Sequence, residues 1–412
     1  MISVCSVSTL AQQRYGVSPY PDVWYNSVDG IRLGVRVIGE EIGAFKEGPH
    51  QLDAGIWLGT NIPDQPVSYY FSLTEPIQAI SGFAEEGSIQ IITSVRTGFA
   101  QHRFQFNKRW QGGFNENDYI TLSVFYSQEK MFDEVYRPYP ELWQDAWKSL
   151  LGFELKRGHE LYGIQLLGKI NSEYNLHENS GNYSHLKGFL IQKVQINDII
   201  TFRAREFAGF NGGETAPENR FFFSLPTFSE QLTFGNSRAE GTTPTNWLEG
   251  GKFQLSGQTI IRGYMDQDYF ALQKSTSDPS MGFYSFFDQI LGFNIDMEFR
   301  NPIQKMLTNS LAKNMVEFRS YLFFDGAKGY GDFARKAQDE SLNIINYYTY
   351  SNSAKFSSGA GLQISFNIPD YLANDRGIFL RYEIPFWLSS PQQGDPNFKY
   401  RTLIGVGAIF SF

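Results

Sequence analysis

Residues 355–368 read KFSSGAGLQISFNI, and two kinds of residue alternate along them. Every odd position from Lys355 to Asn367 is polar or glycine, and six of the seven even positions from Phe356 to Ile368 are apolar. Successive side chains of a β-strand point to opposite faces of the sheet. The stretch therefore predicts a strand with one polar face and one apolar face.

The same alternation recurs along most of the chain. The clearest runs, given by number, are 31–37, 51–58, 67–73, 88–96, 120–126, 291–300, 316–325, 378–386 and 404–412. A hairpin is predicted from Leu186 to Phe207 around Asn197-Asp198, and a short helix from Pro140 to Leu150. Residues 211–250 are rich in Gly, Thr, Pro and Asn and predict a loop, with a short strand at 220–224.

The composition agrees with many strands and with no membrane-spanning helix. The 412 residues include 39 Gly, 37 Phe and 23 Tyr, and only 19% of them are charged. The sequence has no uninterrupted apolar run of the length that a transmembrane helix needs. The net charge is -8 and no basic block occurs, so we expect no nucleic-acid partner.

A soluble β-sandwich also alternates, so the two architectures must be separated. Charged residues recur in the middle of the polar faces, which a water-filled interior allows and a dry sandwich core does not. The apolar faces are about nine to thirteen residues long, as tilted membrane strands require. Open sheet edges are not stable in lipid, so the strands must close. The sequence therefore predicts an all-β transmembrane antiparallel β-barrel of about sixteen strands.

The predicted facing of residues 355–368 follows from this barrel. We expect the odd-numbered residues Gly359, Gly361 and Gln363 to face water, and the even-numbered residues Leu362, Ile364 and Phe366 to face lipid.

The N-terminal segment differs from the rest. Residues 1–25 are predicted to be a signal-like or linker segment, and residues 26–412 the barrel. Ala11-Gln12-Gln13 resembles a signal-peptidase cleavage site, but no basic region precedes it. Either the start lies inside a signal peptide or the chain is a fragment of a longer protein. Cys5 is the only cysteine, which excludes a disulfide within the chain.

One short motif carries a resemblance to a family. Ile261-Arg262-Gly263-Tyr264 resembles the Arg-Gly-aromatic motif of the bacterial surface antigen superfamily, which includes the BamA and TamA barrels and the two-partner-secretion transporters. The segments that follow look like the later strands of that family, and they are residues 294–303, Phe323-Phe324-Asp325-Gly326 (a Phe-x-Asp signature), residues 359–362, residues 382–385 and a terminal Phe412. The resemblance covers roughly residues 250–412, and the first half only by its strand pattern.

The resemblance implies a specific contact. In the family the motif lies on the loop after the eleventh of sixteen strands, and this loop folds back into the barrel. Arg262 is then expected to pair with Asp325, with Glu298 as the second candidate. Asp325, Glu298 and Arg300 all lie on predicted polar faces. Gly263 would let the backbone approach the wall, and Tyr264 would pack there. In a wet interior we expect the ion pair to contribute only about 1 kcal/mol to stability.

The resemblance also implies a location and a role. Gly407, Phe410 and Phe412 stand in the register of an outer-membrane insertion signal, although Gly405 occupies a position that is usually large and polar. We expect the chain to lie in the bacterial outer membrane, with lipid as a partner and unfolded or secreted polypeptides as further partners. The leading function is membrane-protein assembly or polypeptide translocation.

An alternative function comes from the start of the predicted barrel. Residues 21–30 look like the opening of barrels that some Bacteroidota attach to gluzincin aminopeptidase domains. The chain would then be the membrane anchor or pore half of a peptidase fusion. The sequence contains neither His-Glu-x-x-His nor Gly-x-Ser-x-Gly, and its five histidines show no ligand spacing. We therefore expect no enzyme, no metal site and no cofactor. An enzyme would need catalytic groups in its loops, and a porin would have a folded-in loop without the Arg–Asp contact.

Overall fold

The structure is a computed structural model of the chain, and part of the chain is described. The described residues are 14–26, 30–42, 50–61, 66–96, 98–115, 117–132, 146–177, 181–216, 219–223, 253–255, 261–264, 282–285, 287–307, 315–338, 344–369, 375–391 and 394–410.

Strands account for most of these residues. In chain order they are β1 Arg14–Asn26, β2 Gly30–Ile42, β3 Gln51–Gly59, β4 Val67–Pro76, β5 Glu85–Arg96, β6 Phe99–Gln111, β7 Tyr119–Met131, β8 Lys148–Leu161, β9 Ile164–Asn175, β10 Tyr183–Gln195, β11 Ile200–Gly213, β12 Phe253–Leu255, β13 Gly282–Ser285, β14 Gln289–Arg300, β15 Val316–Gln338, β16 Ile344–Pro369, β17 Asp375–Leu388 and β18 Leu403–Phe410. A 3₁₀ turn spans Gln78–Ile80, and the helix α1 spans Pro302–Leu307. In the described ranges, no helix has both the length and the apolar character needed to cross a membrane.

The long strands form one antiparallel sheet in which chain neighbours pair. Each strand from β1 to β10 pairs with the next one, so that this run ends at β11. β11 then pairs with β14, and β14 to β18 again pair in order. The short strands β12 and β13 pair with β18 and β15 and belong to the region between β11 and β14. Without these two, sixteen strands remain in the described residues. The prediction of an all-β chain with about sixteen long strands is confirmed.

The two faces of this sheet carry apolar and polar residues in the opposite arrangement to a soluble sandwich, in which the apolar face is buried. We call the face that carries Asp325 the inner face and the other the outer face. The apolar residues at alternate positions lie exposed on the outer face, among them Ile31, Leu33, Val35, Ile56, Leu58, Phe104, Val124, Leu322 and Phe324. Buried polar and charged residues occupy the inner face, among them Ser72, Ser94, Asn171, Glu298, Asp325 and Glu383. An apolar outer face of this extent is typical of a wall that contacts lipid.

The predicted alternation of residues 355–368 agrees with this sorting. Gly359 and Gln363 are buried on the inner face, whereas Phe366 is exposed on the outer face. Gln363 is covered because Arg319 Nη1 donates a hydrogen bond to its Oε1 (3.2 Å). The facing is therefore as predicted, but the side chain of Gln363 lies under another side chain rather than in open water.

Several predicted elements have different bounds in the structure. Residues 148–150, predicted as the end of a helix, begin β8 because they continue the pairing with β7, and residues 133–145 lie outside the described part. The predicted strand 294–303 ends at Arg300, and Pro302 starts α1, as proline at the first helical position often does. β1 begins at Arg14, inside the predicted signal-like or linker segment. The domain boundary at residue 26 stays a prediction.

The predicted hairpin and loop also have outcomes. β10 and β11 form the hairpin around Asn197, whose Oδ1 accepts hydrogen bonds from the N–H groups of Ile199 and Ile200. In the predicted loop 211–250, Phe221 makes a single bridge to Phe287 instead of the short strand expected at 220–224. Residues 224–250 lie outside the described part.

Candidate functional site

The motif Ile261–Tyr264 lies against the inner face, within a cluster of buried apolar side chains. The N–H of Ile261 donates a hydrogen bond to the carbonyl of Phe223 (2.8 Å), and Ile261 and Tyr264 are fully buried. The cluster consists of Phe221, Phe223, Ile261, Tyr264, Phe287, Ile290, Ala327 and Leu388. We call residues 261–264 the docked motif, because apolar packing and the polar contacts below hold them to the wall.

Arg262 makes its closest set of contacts with Asp325 on β15. Its Nε donates to Oδ2 (2.7 Å), its Nη2 donates to Oδ1 (2.6 Å), and its backbone N–H donates to Oδ2 (3.0 Å). Asp325 has no exposed surface, and Arg262 is 5% exposed. A planar guanidinium that meets a carboxylate with two nitrogens fixes orientation as well as adding stability.

Two further carboxylates complete the surroundings of this guanidinium. Nη2 of Arg262 also donates to Asp296 Oδ1 on β14 (2.7 Å), and Nη1 donates to Glu383 Oε1 on β17 (3.0 Å). The alternation of polar and apolar residues places both carboxylates on polar faces. It does not say which side chains from other strands lie next to them. These two partners of Arg262 were missed because the register between strands is needed to find them.

Aromatic rings form the floor under the guanidinium. Cζ of Arg262 lies 3.9 Å from the ring centroid of Phe323 and 6.0 Å from that of Tyr321. Both rings are buried. A cation over a ring face gains further electrostatic stabilisation.

The other two motif residues fit the wall closely. Gly263 has φ of 88°, a conformation that glycine adopts readily. A Cβ at this position would lie 2.8 Å from Pro385 Cβ, so the site also lacks room for a side chain. The Tyr264 hydroxyl donates to the carbonyl of Phe356 (2.9 Å) and accepts from the N–H of Ser390 (3.1 Å).

The other predicted site residues have separate outcomes. Glu298, the second candidate partner of Arg262, instead contacts Arg203 and Arg319 on the neighbouring strands. It lies two residues nearer the C-terminal end of β14 than Asp296, which does contact Arg262. The backbone of Arg300 pairs with Arg319, and its side chain lies outside the described part. Glu298 is therefore held by its neighbouring strands, and the role of Arg300 stays a prediction.

The predicted insertion signal lies at the edge of the described part. The backbones of Gly407 and Phe410 belong to β18 and pair with Phe379 and Arg376. The side chain of Phe410 and all of Phe412 lie outside the described residues. The insertion signal therefore stays a prediction.

Charged side chains of both signs surround Arg262. Three guanidinium groups and three carboxylates share this part of the inner face, and they are Arg205, Arg262, Arg381, Asp296, Asp325 and Glu383. Among the described residues, no group of three or more His, Cys, Asp and Glu side chains is placed to hold a metal ion. The arrangement is suited to holding a loop in one place on the wall.

Comparisons with known proteins show similarity to outer-membrane proteins at low identity. No family model matches the sequence, and no curated protein matches it. The crystal structure of BamA from Haemophilus ducreyi lacking POTRA domains 1-3 is 12% identical, with 96% of this chain and 71% of that chain covered and a TM-score of 0.48. CdiB from Escherichia coli is 9% identical, with 98% and 64% covered and a TM-score of 0.45. A bacterial polysaccharide outer membrane secretin is 7% identical, with 95% and 94% covered and a TM-score of 0.37.

Proposed function

We propose that this chain is an outer-membrane β-barrel of the surface antigen superfamily, and that it inserts membrane proteins or translocates polypeptides. The observation that carries this proposal is the contact of Arg262 with Asp325 on the inner face. The sequence resemblance implies this pair, and a generic barrel has no need of it. The exposed apolar outer face supports the membrane location.

The docked motif supports a role in handling polypeptides because it joins several wall strands through one loop. Its contacts reach β14, β15 and β17, which are close to the C-terminal end of the sheet. A change in the position of the loop would therefore be felt by several strands at once. A passive anchor or pore, the alternative function, needs a wall but no such ion cluster.

Reconstitution into liposomes tests the proposal. The purified chain is placed in phosphatidylcholine vesicles, and a small outer-membrane barrel, unfolded in urea, is added as the client. Folding of the client is followed by its resistance to added protease. We expect folding to be faster than in vesicles that contain an equal amount of an unrelated porin. Equal rates in the two preparations would contradict the insertion function. Equal rates together with no protection in the translocation measurement below would favour the anchor or pore alternative.

A translocation arm separates the two forms of the proposed function. An unfolded secreted polypeptide is added outside the vesicles, and the fraction protected from protease is measured after the vesicles are washed. Protection of this polypeptide without faster client folding would assign translocation rather than insertion.

A further inference from the structure

Glu383 on β17 holds Arg262, and the sequence motif does not predict this contact. Its Oε1 accepts a hydrogen bond from Arg262 Nη1 (3.0 Å), and Glu383 is only 3% exposed. Nε and Nη2 of the guanidinium are taken by Asp325 and Asp296. Glu383 is therefore the partner that fixes the remaining terminal nitrogen of the fork.

Tyr321 orients this carboxylate. The Tyr321 hydroxyl donates to the same Oε1 of Glu383 (2.7 Å), and its ring is buried on the inner face beside Arg262. Arg381 Nη1 lies farther from this oxygen, at 3.7 Å. A buried carboxylate that accepts two hydrogen bonds is held in one rotamer, so the position of Tyr321 sets that of Glu383.

The space for Tyr321 comes from a glycine on the next strand. Gly361 lies opposite Tyr321 in the β15–β16 pairing and opposite Glu383 in the β16–β17 pairing. A Cβ at Gly361 would overlap the Tyr321 ring. Gly359 does the same for Phe323, the ring directly under Arg262. Two missing side chains on β16 therefore make room for the aromatic floor.

We propose that Gly361, Tyr321 and Glu383 form a positioning relay that ties the docked motif to β17. Gly361 leaves room for Tyr321, Tyr321 orients Glu383, and Glu383 holds Nη1 of Arg262. The relay deepens the proposed function, since it concerns the same loop and names the strand to which the loop is tied.

The relay connects the loop to the end of the sheet. Glu383 pairs in register with Leu403, the first residue of β18. The strand β12, from the same long region as the docked motif, pairs in parallel with Ile404 to Val406 of β18. β17 occupies one edge of β18 over this stretch, so β12 lies on the other edge. Two separate contacts thus bring this region to the last two strands.

Trypsin cleavage after Arg262 reports whether the motif is docked. Arg262 is buried in the wild type, so the Arg262–Gly263 bond should resist the enzyme in the purified, detergent-solubilised chain. Glu383→Gln removes the charge that holds Nη1, Tyr321→Phe removes only the hydroxyl, and Gly361→Ala displaces the Tyr321 ring. We expect each variant to be cut about tenfold faster than the wild type, because cleavage follows the undocked population. Mass spectrometry of the peptide that ends at Arg262 identifies the cut.

Matched controls separate the relay from general loosening. Gly168→Ala adds the same methyl group to a strand glycine whose nearest neighbour would be Leu190 Cδ1 at 3.8 Å, and it should be cut at the wild-type rate. Gel mobility without heating shows that each variant is folded. If Gly361→Ala does not assemble, Tyr321→Phe and Glu383→Gln decide the question.

Three outcomes would overturn the relay. They are wild-type resistance in Glu383→Gln, wild-type resistance in Tyr321→Phe, and equal cleavage of Gly168→Ala and Gly361→Ala. Cleavage is measured without any client polypeptide, so a failed insertion assay leaves this result unaffected and the two proposals fail separately.

Discussion

At Arg262, three side-chain nitrogens meet carboxylates that approach from three different strands. A lysine would keep the charge but place a single ammonium where a planar fork now lies. We expect Arg262→Lys to destabilise the folded chain by about 2 kcal/mol, since hydrogen bonds to charged partners are lost. Urea unfolding of the purified chain measures this loss. Stability equal to that of the wild type would show that charge alone holds the motif.

Replacing Asp325 tests how much the buried ion pair contributes to stability. The sequence alone indicates about 1 kcal/mol for this pair, on the assumption of a wet interior. In the structure Asp325 has no exposed surface, so its removal leaves Arg262 short of a partner in a buried place. We therefore expect Asp325→Ala to cost about 3 kcal/mol in the same unfolding measurement.

A carboxylate on the surface serves as the control for Asp325. Asp395 pairs with Lys399 in the exposed segment between β17 and β18, so Asp395→Ala should leave the stability nearly unchanged. A similar loss of stability in the two variants would contradict the burial argument.

At the scale of elements, neighbouring residues of β6 test which face meets lipid. Phe104 is 51% exposed on the outer face, and Gln105 is partly exposed on the inner face. In a Cys5→Ser background and in membranes, we expect a water-soluble maleimide to label Gln105→Cys and to spare Phe104→Cys, because lipid covers the outer face. Strong labelling of Phe104→Cys in membranes would show that the outer face is in water and would contradict the membrane location of the barrel.

The elements were largely predictable because alternation is a local property. A strand such as β16 shows its two faces within the sequence itself, since lipid requires apolar residues at every second position. The end of the predicted helix at 148–150 was wrong because these residues pair with β7, and a local spacing of apolar residues does not show a pairing with another strand. The end of β14 at Arg300 was also missed, because the alternation of residues does not show where the chain leaves the strand and begins α1.

The site was predictable only in part. Arg262 and Asp325 belong to motifs, and their pairing follows from the resemblance. Asp296 and Glu383 look like many other charged residues on polar faces, and only the register of β14 and β17 singles them out. The roles of Gly359 and Gly361 depend on rings two residues apart on another strand, so no local pattern shows them.

For the whole molecule, the C-terminal end tests how the chain reaches the membrane. Deleting Phe412 should lower the amount of chain assembled in the outer membrane, because the last residues carry the predicted insertion signal. The unfolding midpoint of the chain that does assemble should change little, since the described β17–β18 pairing runs over the eight residues from Leu403 to Phe410. Normal membrane yield of the truncated chain, measured by fractionation, would count against an insertion signal at this end.

We infer that one buried ion cluster holds the loop in the state that handles polypeptides. The most direct measurement compares client folding rates in vesicles that contain the wild type, Arg262→Ala, Asp325→Ala or the double variant. Arg36→Ala, which breaks the Arg36–Asp53 pair on β2 and β3, is the control. We expect slower client folding for each single variant, no further loss in the double variant because the pair acts as one unit, and a wild-type rate for the control. Losses that add in the double variant, or a wild-type rate for Arg262→Ala in a folded chain, would contradict this inference.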